Sequence, residues 1–123
     1  MMITFAVPKG RIFDEMAELL SKSKIATVDF KEDFSRKLIV NSMCNKFRFL
    51  IVRSQDVLTY VRYGAADMGV VGLDVLEELN TDGIYQPLDL EIGACRLSVA
   101  VADIEKYRQL VENSQRFKVA TKY

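Results

Sequence analysis

Residues 53–74 read RSQDVLTYVRYGAADMGVVGLD, and this stretch carries the strongest structural signals of the chain. Arg53 follows an apolar run that is typical of a strand, and a helix begins directly after it. Gly64 has the conformational freedom that the end of that helix needs, and the apolar residues 68–71 then predict a short buried strand. The stretch thus places polar turns at the ends of apolar elements, where open α/β sheets bind their ligands.

The helix after Arg53 has recognisable start and face signals. Ser54 is a favourable N-cap residue, and Asp56 lies in the first turn, where the helix dipole stabilises an anion. The predicted buried face of this helix consists of Val57, Tyr60 and Val61. A basic residue, an acidic residue and a helix N-terminus are therefore expected close together.

The N-terminal part of the chain is predicted to supply strands and one amphipathic helix. Ile3 to Val7 is a short apolar run that predicts a buried strand, and the apolar positions from Arg11 to Ser23 fall on one helical face. Residues 24–36 are mixed and polar, which favours a short strand followed by an exposed loop. Two further strand candidates form a predicted hairpin around residues 44–46: Leu38 to Met43 and Phe47 to Val52.

The C-terminal part continues the alternation of helices and strands. Gly72 turns the chain, Asp74 is expected to cap the helix that follows, and residues 80–83 form a turn. That helix contains Val75, Leu76 and Leu79, and a later one follows the stripe Ile104, Tyr107, Leu110 and Val111. Three more strands are predicted, at Ile84 to Leu90, Cys95 to Ala102 and Lys118 to Tyr123. This order predicts a single α/β lobe spanning residues 1–123, with a mostly parallel sheet flanked by helices.

Composition excludes several classes of function. The chain has 123 residues, enough for one hydrophobic core, and its 17 basic residues balance 17 acidic ones. This balance gives no reason to expect a nucleic acid or a membrane surface as partner, and the N-terminus lacks the features of a signal peptide, so a cytoplasmic location is expected. The absence of histidine excludes Ser-His-Asp and Cys-His catalysis, and the two cysteines lack metal-type spacing.

The turn Pro8-Lys9-Gly10-Arg11 lies between a predicted strand and a predicted helix. Gly10 would let the backbone approach a ligand, the helix N-terminus offers free N–H groups, and Lys9 and Arg11 add positive charge. Together these features suit a phosphate group. A solvated turn in which the glycine only relieves strain is the alternative interpretation, and the pattern alone leaves both open.

Arg53 and Asp74 each have a functional and a structural interpretation. Arg53 at the end of a strand would point into the ligand crevice of an open sheet, with Asp56 orienting its guanidinium, or the two could form a plain surface ion pair. Asp74 could hold a ribose hydroxyl or a base amino group, or serve only as a helix cap. Asp67 is expected to have a structural role, and Arg36-Lys37 is a weak candidate for a binding pair.

Five segments taken together, namely PKGRI, SRKL, VRSQDVLTYVRYGAADMGVVGLDVLEE, PLDLEIGACRLSVAV and KVATKY, resemble ATP phosphoribosyltransferase, the first enzyme of histidine biosynthesis. The resemblance covers essentially the whole chain, and the chain is similar to the short form of the family. It implies transfer of phosphoribosyl from phosphoribosyl pyrophosphate to N1 of ATP, with inversion, release of pyrophosphate and assistance from Mg²⁺. Catalysis of this kind depends on positioning and on cations that neutralise the leaving group.

The resemblance also implies roles for individual residues. Lys9 and Arg53 would be catalytic, with Arg53 reaching a phosphate. The expected substrate-binding residues are Arg11, Ile12, Asp56, Gly72, Asp74 and Tyr123. Among these, Ile12 and Tyr123 would face the two sides of the adenine ring, Asp74 would meet its polar edge, and Gly72 would keep the wall free of side-chain bulk. Leu73 and Arg62 depart from residues common in relatives, which removes an expected charge contact at Leu73 and alters the surface at Arg62.

By the same resemblance the chain is the N-terminal portion of a longer enzyme. It would be one lobe of a fold similar to the type II periplasmic binding proteins, without the second lobe that cradles the phosphoribosyl 5′-phosphate, and inactive alone. The resemblance implies a homo-oligomer and a separate regulatory subunit similar to histidyl-tRNA synthetase. Two alternatives remain: a stand-alone α/β module that binds or self-associates without catalysis, and a regulatory domain that binds no nucleotide.

Overall fold

The structure is a computed structural model of the chain and describes residues 1–26 and 37–123. The strands in this part are β1 (Ile3–Pro8), β2 (Ile39–Asn41), β3 (Phe47–Val52) and β4 (Met68–Gly69). The helices are α1 (Arg11–Lys22), α2 (Val57–Arg62), α3 (Leu73–Glu78) and α4 (Ile104–Glu112), and a 3-10 turn at Ser54–Asp56 leads into α2. The predicted alternation of strands and helices is thus confirmed through α3.

Within the described residues, the strands form a four-stranded sheet in the order β2-β3-β1-β4. β1 is central and runs parallel to both β3 and β4, whereas β2 is antiparallel to β3. The predicted mostly parallel sheet is therefore confirmed, and the predicted hairpin is β2-β3. Asn45 adopts a left-handed φ of 54° in the hairpin loop, a conformation that asparagine tolerates better than most residues.

One face of the sheet packs against α1, because strand side chains alternate between the two faces. Phe49 is fully buried, and its ring meets Phe13 of α1 edge-on with centroids 6.2 Å apart. The buried members of this cluster are Val7, Phe13, Met16, Ala17, Val40, Phe49 and Ile51. Burying one such large side chain stabilises the fold by about 1.5–3 kcal/mol. The amphipathic pattern of α1 and the two-residue period of β3 are the sequence features that produce this core.

The opposite face packs against α2, with helices on both faces of the sheet as predicted. Ala6, Val57 and Ala66 are buried there. Gly69 of β4 permits the close approach, because a Cβ at this position would lie 2.6 Å from Cγ1 of Val57 and 3.0 Å from Cγ2 of Val61. Gly64 has a φ of 72° after the last turn of α2, which confirms its predicted place at the end of the helix.

The start and the face of α2 differ from the prediction. Ser54 is not an N-cap residue, because residues 54–56 form a tighter 3-10 turn whose N-cap is Arg53 and in which the Asp56 N–H donates to the carbonyl of Arg53 at 2.9 Å. The buried face consists of Val57 and Leu58, whereas Tyr60 is 37% exposed. The predicted face is therefore confirmed at Val57 and, as a partly buried residue, at Val61, but it is wrong at Tyr60, and Leu58 is buried instead.

The strand predicted at residues 68–71 is shorter and more exposed than expected. β4 contains only two residues, and Met68 is 49% exposed because β4 lies at the edge of the sheet. Asp74 lies inside the first turn of α3 and Gly72 is the N-cap residue, so the predicted place of Asp74 as the helix cap is wrong. Asp67 has the expected structural role: its carboxylate accepts the N–H of Thr4 at 2.7 Å.

Three predicted strands do not form: Ile84 to Leu90, Cys95 to Ala102 and Lys118 to Tyr123. A strand needs a hydrogen-bonded neighbour, and none of these segments pairs with another in the part of the chain that the structure describes. The helix predicted after Ala102 is confirmed as α4, where the Asp103 carboxylate accepts the N–H of Lys106 at 3.0 Å. The turn predicted at residues 80–83 is also present.

The prediction of a short strand and loop at residues 24–36 lies mostly outside the described residues, as does Arg36. Among the helices that the structure describes, none is both long and apolar enough to cross a membrane.

Candidate nucleotide-binding edge

The carboxyl ends of β1 and β3 lie side by side, because Pro8 pairs with Val52 in the parallel ladder. Lys9 and Arg53 follow these paired residues directly, so the fold brings the two predicted cationic residues to one edge of the sheet. A cavity of about 790 Å³ opens there. Its lining consists of Pro8, Lys9, Lys37, Leu38, Ile39, Leu50, Ile51, Val52, Arg53, Ser54, Asp56 and Tyr60.

The charged lining of this first cavity favours an anion. Lys9, Lys37 and Arg53 contribute positive charge and Asp56 contributes one carboxylate. Phosphate groups are bound by this combination of cationic side chains and nearby helix N-termini. The structure shows no ion pair between Arg53 and Asp56 among the described residues, so the orienting role of Asp56 stays a prediction.

The turn after β1 is open toward solvent. Gly10 has a φ of 96°, which only glycine adopts without strain, and a Cβ at this position would meet nothing within 4 Å. The 12-residue helix α1 begins at the next residue, and its first N–H groups have no partner within the helix. The turn therefore has the backbone freedom and the open space that the phosphate interpretation requires.

Arg11 does not line the first cavity. Its guanidinium donates to the backbone carbonyl of Ala94 at 3.1 Å, and its Nε lies 3.4 Å from the Glu15 carboxylate. The other Glu15 oxygen accepts the N–H of Gly93 at 2.7 Å. Ile12 is half-buried, and its side chain lies against Gly93. These two predicted substrate neighbours thus contact a distant segment of the chain.

Asp74 and Tyr123 meet on the far side of the 3-10 turn. The Tyr123 hydroxyl donates to the Asp74 carboxylate, and this hydrogen bond lowers the pKa of Asp74 and raises the pKa of Tyr123. The ammonium of Lys122 lies 4.8 Å from the centre of the Tyr123 ring. Gly72 leaves space for the pair, because a Cβ at Gly72 would clash with Oδ1 of Asp74.

A smaller cavity of about 150 Å³ lies beside this pair and is lined by Gln55, Val75, Glu78, Leu79, Lys122 and Tyr123. The 3-10 turn separates the two cavities, since Ser54 and Asp56 line the first and Gln55 lines the second. The structure therefore brings the predicted site residues together in two groups. Lys9, Arg53 and Asp56 form one, and Asp74 with Tyr123 forms the other.

Sequence reasoning missed several residues of this region. Lys37 was weighed only as half of a weak pair, yet the antiparallel β2-β3 register, in which the Ile51 N–H donates to the Leu38 carbonyl, places it beside the end of β3. The predicted hairpin already contained this signal. Glu15 and Lys122 had no comparable signal, because the bond from Gly93 to Glu15 and the place of Lys122 at the second cavity depend on how distant segments approach each other.

Metal-binding groups are sparse among the described residues. No group of three or more cysteine, aspartate and glutamate side chains could hold a metal ion there. Cys44 and Cys95 are free thiols and both are exposed.

A family model described as ATP phosphoribosyltransferase matches residues 53–123. Curated relatives of the same name match nearly the whole chain: the chain is 52% identical over 122 residues to the protein of Variovorax paradoxus and 51% identical over 122 residues to that of Polaromonas naphthalenivorans. These alignments cover 99% of this chain but only 57% and 56% of the relatives. The chain thus spans little more than half the length of the curated relatives it matches.

A solved structure, the ATP phosphoribosyl transferase (HisG:HisZ) complex of Thermotoga maritima, aligns over 63% of this chain and 35% of its own chain. The TM-score is 0.47 at 32% sequence identity. The family model covers more than half of the chain, including the stretch from Arg53 to Asp74 that the sequence singled out. The chain belongs to the ATP phosphoribosyltransferase family.

Proposed function

We propose that this chain is the nucleotide-binding part of an enzyme that transfers phosphoribosyl from phosphoribosyl pyrophosphate to N1 of ATP. The observation that carries the proposal is the cavity at the carboxyl ends of β1 and β3, where Lys9 and Arg53 follow paired strand ends. Membership in the family supports the reaction and its place in histidine biosynthesis. The resemblance supports a cytoplasmic location.

Chemically, the reaction needs no protein nucleophile. The N1 atom of adenine forms a bond to the anomeric carbon of the sugar while the bond to pyrophosphate breaks, and the electron pair leaves with pyrophosphate. Lys9 and Arg53 would stabilise the negative charge that grows on this leaving group, since preorganised cations act most strongly on developing charge. Each tenfold gain in rate requires about 1.4 kcal/mol of such stabilisation.

Magnesium would enter with the substrates. The described residues offer no cluster of three acidic or thiol ligands, which fits an ion held mainly by phosphate oxygens. When bound in this way, Mg²⁺ supplies charge neutralisation on the diphosphate. Lys9 and Arg53 would then orient the phosphates from the protein side.

The adenine ring is proposed to lie near the second group of residues. One oxygen of Asp74 accepts the Tyr123 hydroxyl, which leaves the other oxygen for a ribose hydroxyl or the adenine amino group. Ile12 and Tyr123 would face the two sides of the ring, as the resemblance implies. A Gly72→Ala change would push the Asp74 carboxylate out of its present place.

The further partners are also proposals. The family resemblance supports a homo-oligomer and a regulatory subunit similar to histidyl-tRNA synthetase. Since the chain spans 57% of the length of its relative from Variovorax paradoxus, we expect it to bind ATP weakly and to catalyse no turnover alone. Rapid release of pyrophosphate by the pure chain, in the presence of both substrates, would contradict that expectation.

Calorimetric titration with ATP tests the cavity directly. Arg53→Ala is expected to weaken ATP binding about tenfold, because a hydrogen bond to a charged group is lost. Arg48→Ala is the matched control: Arg48 lies on β3, the strand that Arg53 follows, is exposed, and pairs with Thr4 at the opposite end of the sheet. Equal affinities for the two variants would show that the nucleotide does not use the Arg53 edge.

A non-catalytic, self-associating module is the second candidate. The observation that favours it is a row of exposed apolar side chains, with Leu97 81%, Val99 74% and Val101 42% exposed. Exposed apolar patches commonly mark interfaces. Light scattering on a sizing column measures the mass of the protein in solution. A dimer would support binding of a second copy to this row, and a monomer would contradict it.

A further inference from the structure

The first two turns of α1 hold a segment that is distant in sequence. Residues 92–94, here named the crossing segment, lie against Arg11, Ile12 and Glu15. The two hydrogen bonds that join them span 78 and 83 residues. The crossing segment therefore lies against α1, the helix that begins at Arg11, the last residue of the candidate phosphate turn Pro8-Lys9-Gly10-Arg11.

The Glu15 carboxylate contacts both Arg11 and the crossing segment. Its Oε1 atom lies 3.4 Å from Nε of Arg11, and its Oε2 atom accepts the N–H of Gly93 at 2.7 Å. Arg11, held in this way, donates to the carbonyl of Ala94 at 3.1 Å. One carboxylate thus fixes a side chain of the turn and the backbone of the crossing segment at the same time.

A second ion pair on the same helix shows that this geometry is more than helical spacing. Glu18 and Lys22 also stand four residues apart and approach to 2.6 Å, but the Glu18 side chain is 63% exposed and its ion pair stays within the helix. The Glu15 side chain is 35% exposed. Only the Glu15 pair reaches another part of the described chain.

Apolar packing reinforces the polar attachment. Ile92 packs against the core cluster between the sheet and α1. Gly93 has a φ of 66°, and a Cβ at this position would lie 3.3 Å from Cγ1 of Ile12. Glycine therefore suits this position, because its backbone conformation favours glycine and a larger residue would sit tightly against α1. The apolar and polar contacts together hold the crossing segment against α1.

We propose that Glu15 is a positioning residue that couples the phosphate-binding turn to the crossing segment. It touches no ligand in this role. Instead it holds Arg11 at the end of the turn and the Gly93 amide together, so that nucleotide bound at the turn also fixes the crossing segment. This inference rests on the proposed function, because the coupling matters only if a nucleotide binds at the turn.

Amide hydrogen exchange at Gly93, without ligand, tests the attachment itself. Glu15→Ala removes both contacts and is expected to speed exchange of the Gly93 amide about tenfold, whereas Glu15→Gln retains an acceptor oxygen and is expected to stay near the wild-type rate. Glu18→Ala is the matched control and should change nothing at Gly93. Wild-type exchange in the Glu15→Ala variant would overturn the proposal.

Titration with ATP then tests the coupling. ATP is expected to slow Gly93 exchange in the wild type and in Glu18→Ala, and to bind Glu15→Ala several-fold more weakly, with affinity restored in Glu15→Gln. If ATP binds wild type and Glu15→Ala equally, Glu15 is only structural and the proposal fails. If ATP does not bind the wild type, the proposed function fails and the coupling fails with it, while the ligand-free exchange still reports on the attachment alone.

Discussion

Two regions of the chain have similar apolar sequences but different structures. In the sheet region, the described residues up to 79, apolar runs become paired strands, and Val7 and Phe49 are fully buried. In the downstream region, residues 80–123, the runs at 84–90 and 95–102 remain unpaired, and Val99 is 74% exposed. A β-branched, apolar run becomes a strand only where a neighbouring strand completes its backbone hydrogen bonds.

The candidate site reflects the same division. The sheet region alone supplies the whole lining of the first cavity, including Lys9 and Arg53. The contacts of Arg11, Glu15 and Asp74 instead join the sheet region to the downstream region. If the proposed function holds, phosphate recognition would depend on the edge of the sheet, whereas the adenine side of the proposed site would depend on how the downstream region is attached.

The largest expected effect separates the two regions by stability. Phe49→Ala removes a fully buried ring from the cluster against α1 and is expected to lower the free energy of unfolding by about 3–5 kcal/mol. Val99→Ala, in an exposed apolar run, should change it by less than about 0.5 kcal/mol. Urea unfolding followed by circular dichroism measures both. Similar losses for the two variants would mean that Val99 is buried in solution and would remove the contrast between the regions.

A medium effect concerns the tight contact between β4 and α2. Gly69→Ala would place a Cβ 2.6 Å from Cγ1 of Val57 and is expected to cost about 1–3 kcal/mol of stability through overpacking. A shorter side chain at Val57 should relieve the clash, so the same substitution should cost less in a Val57→Ala background. A double-mutant cycle by urea unfolding measures this coupling. Additive losses would show that β4 and α2 are not in close contact.

How far the fold could be predicted follows from which signals are local. The two-residue period of β3 and the apolar stripe of α1 depend only on neighbouring residues, and both elements form within a residue of their predicted bounds. The prediction for α2 was wrong at Tyr60, because apolar spacing does not show that a 3-10 turn at Ser54–Asp56 precedes the helix. The prediction of the three strands that do not form was wrong for another reason, since a strand's partner is not a property of its own sequence.

The same distinction applies to the site. Lys9 and Arg53 were each predicted to follow a strand, and the parallel pairing of β1 and β3 then places the ends of these two strands side by side. The attachment of Glu15 to Gly93 spans 78 residues and depends on the path of the crossing segment, which no local pattern specifies.

The smallest expected effect is a shift in the titration of Tyr123. The Asp74 carboxylate accepts its hydroxyl and is the main cause of its raised pKa, whereas nearby Lys122 acts in the opposite direction. Asp74→Asn removes the carboxylate that raises the pKa of Tyr123 and leaves Lys122, which lowers it. The pKa of Tyr123 should therefore fall. Nuclear magnetic resonance of the tyrosine rings, with Tyr123→Phe to assign the signal, measures this change. Asp82→Asn, whose carboxylate contacts only its own turn, should leave the titration unchanged.

The sign of the pH dependence follows from the two pKa shifts. The pKa of Tyr123 is raised, so its hydrogen bond is fully present below the ordinary tyrosine pKa of about 10 and is lost as pH rises through the raised value. The pKa of Asp74 is lowered, so its contribution is present above the ordinary aspartate pKa of about 4 and is lost as pH falls through the lowered value. Between these limits the bond should attach the end of the downstream region to α3. An unshifted Tyr123 titration in the Asp74→Asn variant would mean that the two regions are not joined at this point, and the adenine side of the proposed site would lose its anchor.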